Sequence, residues 1–170
     1  DITYMTTTNF IQNGKAPASY TYNANGAMET DANDGVVFME YDNFGYAKAI
    51  YFKSGCSIKY VHTPTGEKLK ETYTTSVPNI TKPVGLPFSL APPEIQSVNT
   101  KDYWGTDIIC KNGTPQQFFF DGGFANIKGN ELSWHYYVKD HLDSNRIVQD
   151  EKGKVEATYN FYPFGGYFDH

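Results

Sequence analysis

Arginine is almost absent from this 170-residue chain. Thirteen lysines are accompanied by a single arginine, Arg146, against 19 acidic residues, and the net charge is −5. A nucleic-acid reader needs a basic face and favours Arg, whose planar fork matches phosphates and guanine edges, so that partner is not expected. Long apolar runs are missing too, and no stretch of about 18 residues is apolar enough to span a membrane as a helix. Cysteine is limited to Cys56 and Cys110. The pair fits either a disulfide in an extracellular setting or two buried, inert thiols on strands. The first residues, Asp1-Ile2-Thr3-Tyr4, include no Met and do not look like a signal peptide. The chain is therefore expected to begin after a removed targeting segment or inside a longer protein.

What is abundant is aromatic. Fourteen Tyr and 12 Phe bring aromatics to 16%, and 15 Gly with nine Pro punctuate them. Helical spacing of apolar residues is nowhere sustained, whereas short alternating segments meet turn signals repeatedly. Strands are expected at 20–22, 36–41, 47–52, 56–61, 107–111, 116–120, 131–138, 145–149 and 154–161. Between them stand Asn25-Gly26, Asn43-Phe44-Gly45, Ser54-Gly55, Thr65-Gly66, Asn112-Gly113, Asp121-Gly122 and Lys152-Gly153, which suit tight hairpins. The fold class is all-β, a twisted antiparallel sheet of consecutive hairpins.

A period runs through the first half. Tyr22, Tyr41 and Tyr60 stand 19 residues apart, and each is followed by a glycine, Gly26, Gly45 or Gly66. Periods near 20 mark repeat architectures, whose units are too small to bury their own faces. Each tyrosine is expected to end a strand and pack on its neighbour's equivalent ring. Five prolines, Pro78, Pro83, Pro87, Pro92 and Pro93, interrupt the pattern. They divide the chain into hairpin repeats (1–74), a Pro-rich insertion (75–99) and further hairpins (100–170), together expected to form one continuous domain. Proline removes ladder donors, so the insertion is read as a packed-down loop covering a sheet edge.

The last third carries recognisable text. Asp140-His141-Leu142-Asp143-Ser144 with Arg146, then Asp150-Glu151-Lys152-Gly153, then Tyr162-Pro163-Phe164-Gly165 resembles the core motif of RHS-repeat proteins. Asp143 stands where that family usually has Gly, which puts the turn's backbone in question. Tyr22-Asn23-Ala24-Asn25-Gly26 and Tyr41-Asp42-Asn43-Phe44-Gly45 look like YD repeats, and Asp102-Tyr103-Trp104-Gly105 like a segment between repeats in Bacteroidetes versions. The resemblance implies strips of antiparallel sheet, which in long members coil into a shell around a C-terminal toxin. It marks Tyr22, Gly26, Tyr41, Gly45, Asp140, His141, Arg146, Gly153, Pro163 and Gly165 as structural positions, and the 19-residue period adds Tyr60 and Gly66. In self-cleaving members the acidic cleavage residues lie past the Pro-Phe-Gly motif, beyond the end of this sequence.

Chemical candidates are few. His135, Asp140 and His141 contain the donors of a Zn²⁺ or acid–base site, but without a third ligand at suggestive spacing. Bracing of the turn, with Arg146 reaching a carboxylate, is the plainer reading. Phosphate-loop and serine-elbow signatures are lacking. Trp104, Trp134 and Tyr136 are weak candidates for an aromatic sugar-binding platform. The expectation is a non-catalytic structural module of a secreted or cell-surface bacterial protein, needing no metal or cofactor and able to self-associate through sheet edges. A carbohydrate- or protein-binding surface module is the alternative, and a fragment of a self-processing toxin-delivery protein is the third.

Overall fold

The computed structural model describes residues 20–161 and the backbone of Tyr167–Phe168. Thirteen strands follow one another in an antiparallel sheet whose spatial order is the order of the chain, from β1 to β13. Outside the Pro-rich stretch short loops impose that order, because a tight turn can only return the chain beside the strand it has just left. The chain divides into two compact units, Asp1–Asn99 and Thr100–His170. Among the described residues helix is confined to one 3₁₀ turn, Pro92–Glu94, where Glu94 accepts the backbone N–H of Ala91 at 2.8 Å.

The first unit holds β1 (Tyr20–Tyr22), β2 (Met28–Asp31), β3 (Val36–Tyr41), β4 (Ala47–Phe52), β5 (Ser57–His62), β6 (Lys68–Ser76) and the start of β7 (Ile95–Trp104). Its core is Val37, Ala49 and Tyr51, against which Phe38 and Phe88 pack. Phe88 belongs to the Pro-rich stretch and meets the Tyr51 ring edge-on at 5.1 Å. Val37 is the extra residue of a bulge in β3, so its carbonyl is released from the ladder and accepts the Gly85 N–H at 2.8 Å. The Lys82 N–H likewise reaches the Lys53 carbonyl at 2.9 Å. The insertion therefore covers a face of β3 and β4, not the edge expected from its prolines. It is also shorter than expected, since β6 runs to Ser76 and β7 starts at Ile95.

The second unit continues β7 and adds β8 (Ile108–Lys111), β9 (Thr114–Phe120), β10 (Gly123–Lys128), β11 (Glu131–Lys139), β12 (Asn145–Asp150) and β13 (Val155–Thr158). A separate pair, β14 (Asn160–Phe161) with β15 (Tyr167–Phe168), follows. The single strand expected over 154–161 is thus two. Val155–Thr158 stays on β12, while Asn160 and Phe161 leave to pair elsewhere. Cys110 and Ala125 are sealed in, and both cysteines are free thiols.

Candidate functional site

A single local unit recurs through the sheet. Asn23, Asp42, Thr63, Asp140 and Asp150 each head a five-residue turn. In each, the heading residue exchanges backbone bonds with the residues three and four positions on, as in Asp42 N–H to the Tyr46 carbonyl (2.9 Å) and Gly45 N–H to the Asp42 carbonyl (3.1 Å). Its side-chain oxygen then accepts the N–H four positions on, 2.9 Å at Asp42 and 3.1 Å at Thr63. This side-chain closure is why Asn, Asp and Thr occupy the place. The fourth turn residue takes positive φ, 87° at Gly45 and 62° at Asp143. Asp143 therefore keeps the backbone that glycine adopts in the other turns, and its carboxylate accepts from Lys139 at 3.0 Å.

Each of these turns is followed by a β-bulge. The residue left unpaired is Glu29, Lys48, Leu69, Arg146 or Glu156, always six positions after the turn's head. A sixth turn, Phe52–Cys56, makes the same backbone bonds but has no oxygen on its heading side chain, and no bulge follows it. A bulge re-aims one side chain, and three of the five then pair. Lys48 meets Glu40 at 2.6 Å, Arg146 meets Asp140 at 2.7 Å, and Glu156 meets His135.

This frame re-sorts the sequence candidates. Tyr22 and Tyr41 end strands directly before their turns, but Tyr60 lies inside β5 and His62 takes the equivalent place. The ring ladder expected of the tyrosines is replaced by other contacts. The Tyr41 hydroxyl donates to the Met28 carbonyl at 2.6 Å, and Tyr60 packs beside His62. Gly26, Gly45, Gly66 and Gly153 all occupy the positive-φ place. Pro163 and Gly165 lie outside the described residues.

Asp140 heads its turn and receives Arg146 Nε at 2.7 Å, while His141 is exposed in the loop. The Arg146 bond and the Ser144 N–H hold the Asp140 carboxyl below the usual range. Asp150 is lowered in the same way by the N–H groups of Lys154 and Lys152. His135 is not part of that corner. Its Nδ1 meets Glu156, and its Nε2 lies 3.0 Å from Asn126 and 3.2 Å from Ser133. Among the described residues no three His, Cys, Asp or Glu side chains gather closely enough to hold a metal ion.

Alternation along β11 sorts the aromatic residues onto two faces. Trp134 and Tyr136 face one way and both meet the Phe120 ring in T-shaped contacts, at 5.5 and 6.0 Å. Tyr136 remains 39% exposed, and Trp104, at the end of β7, is 55% exposed. His135 and Tyr137 face the other way, with Phe124 stacked on the His135 ring at 4.6 Å. There a cavity of about 570 Å³ opens between Phe124, Tyr137, Tyr159 and Phe161, with Glu156 and Asn145 on its wall. Sequence reading missed Glu156 and Asn145. In simple alternation Glu156 would face away from Ala157, which pairs with Val148 on the cavity side. The bulge brings both to that side, and only the spacing from Asp150 signals it.

No known protein family matches the chain, and no curated protein does. One solved structure that it resembles is the crystal structure of TcdB2-TccC3 without its hypervariable C-terminal region. The likeness is 12% identical with a TM-score of 0.27, and covers 88% of this chain but 7% of the other. The chain thus spans a small fraction of that protein, and so slight a superposition leaves function to be read from the chain's own geometry.

Proposed function

We propose that the chain is a non-catalytic structural repeat module of the YD/RHS kind, one section of a wall or stalk in a secreted or cell-surface bacterial protein. The observation that carries this reading is the recurring turn-and-bulge unit, set in a sheet whose strands follow chain order. Repetition of one local solution builds length and surface, and each strand needs only its neighbours. Its edges at β1 and β13 offer ladder groups for self-association or for further repeats. Tandem duplication of residues 42–62, which carry two turns and two strands, tests it. The module reading expects a soluble protein with added strand content by circular dichroism and cooperative urea unfolding. Loss of cooperative folding would count against a modular scaffold.

A second reading, carbohydrate recognition, is favoured by the exposure of Trp104 and of Tyr136 beside Trp134. A polysaccharide screen with Trp104→Ala, Trp134→Ala and Tyr136→Ala tests it. Saturable binding lost in any of the three would promote it over the scaffold.

A further inference from the structure

The cavity of the second unit has a composition that scaffolding does not require. Its walls are aromatic rings, and its polar lining includes a carboxylate, Glu156, and an amide, Asn145. Among the described residues no Lys or Arg lines it. Arg146 lies over the Phe161 ring at 5.3 Å, with its Nε held by Asp140. The Asn145 Oδ1 atom is buried and accepts no hydrogen bond, a condition that buried carbonyl oxygens rarely tolerate.

A hydrogen-bond chain orients the His135 ring on the wall. Gln117 Nε2 donates to Asn126 Oδ1 at 3.0 Å, which turns the Asn126 amino group toward His135 Nε2, also at 3.0 Å. His135 Nε2 is then an acceptor, so the ring's proton sits on Nδ1 and is donated to Glu156. Glu156 is 37% exposed, so a ligand can reach it.

We propose that this cavity binds a primary alkylammonium group, as carried by a lysine side chain or a free polyamine. The ring faces attract a cation, and Glu156 neutralises it and accepts its N–H. A quaternary ammonium has no N–H for the Glu156 carboxylate, and a neutral polyol brings no charge to it. The bulge at Glu156 is the device that builds the site, because it carries a carboxylate onto an otherwise aromatic face.

Calorimetric titration of the whole chain with 1,5-diaminopentane and with Nα-acetyl-lysine amide tests the proposal. Tetramethylammonium and 1,5-pentanediol serve as controls, and ¹⁵N shift changes at Val148 and Ala157 locate the ligand. The expected result is saturable amine binding that weakens with salt and drops roughly 10- to 100-fold in Glu156→Gln, which loses one charge-assisted bond. Tyr159→Leu, a change at the exposed rim, should also weaken binding without disturbing His135. Preference for the diamine would identify a free polyamine, and preference for the lysine amide a protein side chain. Equal binding of the pentanediol, unchanged affinity in Glu156→Gln, or no saturable heat from either amine up to about 10 mM would overturn it.

Discussion

In the first unit the buried face of the sheet is closed by a piece of chain brought from outside the repeats. Phe88 sits on Tyr51, and Gly85 takes the carbonyl that the Val37 bulge releases. In the second unit the sheet is covered by its own rings, Phe124 on His135 and Phe120 between Trp134 and Tyr136, and a cavity is left among them. The turns differ in parallel. Four of the first unit's hairpins use five-residue turns, whereas at 112–113, 121–122 and 129–130 the second unit turns in two residues, with Lys111 opposite Thr114, Phe120 opposite Gly123 and Lys128 opposite Glu131. A thin sheet needs a lid, and the source of the lid decides what the face can do. A loop that fills the face leaves a scaffold, while rings that only roof it leave room for a ligand.

The sharpest way to break this comparison is at Gly123. A Cβ there would lie 2.2 Å from the His135 carbonyl oxygen and 2.8 Å from the Phe120 ring. Gly123→Ala must push β10 from β11, and a loss of about 3 kcal/mol or more is expected, confined to the second unit. Gly45→Ala in the first unit meets open space and strains only its φ of 87°, at about 1–2 kcal/mol. Urea unfolding followed by hydrogen exchange in each unit gives both numbers, and equal losses would refute the distinction. Next comes the lid itself. Phe88→Ala should cost about 2 kcal/mol, less than a fully buried ring because Phe88 is half-exposed. It should speed exchange at Ala49 and Tyr51 while leaving Val148 protected.

Much of the sheet was legible in advance where apolar alternation and turn chemistry agree. Val36–Tyr41 and Ala47–Phe52 fall where expected because both are framed by Asp- or Gly-containing turns. Lys68–Ser76 did not show itself, since its buried residues are Ser76 and Glu71, the latter held by Lys68 at 2.6 Å and by the Tyr73 hydroxyl. An alternation rule that puts apolar residues inside cannot see a buried carboxylate. Gly123–Lys128 was hidden by its first residue, because a glycine that reads as a turn is there to let two strands approach. Of the candidate site, Asp140 and Arg146 were legible from their motif. The His135–Glu156 contact was not, because it depends on a bulge 21 residues downstream.

A smaller effect of pH differs in degree between the units, since the Ala91 N–H also lowers one carboxyl of the first unit, that of Glu94. Asp140 and Asp150, both in the second unit, have carboxyls held below their ordinary range by Arg146 and by backbone N–H groups, respectively. A carboxyl lowered on folding stabilises the fold fully above its unfolded value and loses that contribution as pH falls through its folded value. The second unit should therefore lose stability as pH drops below about 3.9, the ordinary aspartate value. Asp140→Asn keeps a side-chain oxygen to close the turn but removes the charge facing Arg146. It should lower stability at neutral pH and flatten the acid limb, measured as urea midpoint against pH. An acid limb as steep as in the unsubstituted chain would show that the Arg146 contact is not what holds the carboxyl down.

The smallest expected change probes the one turn that departs from the glycine rule. Asp143 has φ 62° and is 83% exposed, and it trades the strain of that backbone for a contact with Lys139. A left-handed conformation costs an ordinary residue roughly 1–2 kcal/mol, whereas an exposed ion pair returns about 0–1 kcal/mol. Asp143→Gly should therefore stabilise the second unit by up to about 1 kcal/mol, offset in part by the greater freedom of glycine in the unfolded chain. Asp143→Ala keeps the strain and loses the contact, so it should destabilise. If both substitutions lower the urea midpoint equally, the Lys139 contact outweighs the backbone strain. The aspartate would then be a brace for the corner formed by Asp140 and Arg146, and not merely a tolerated substitute for glycine.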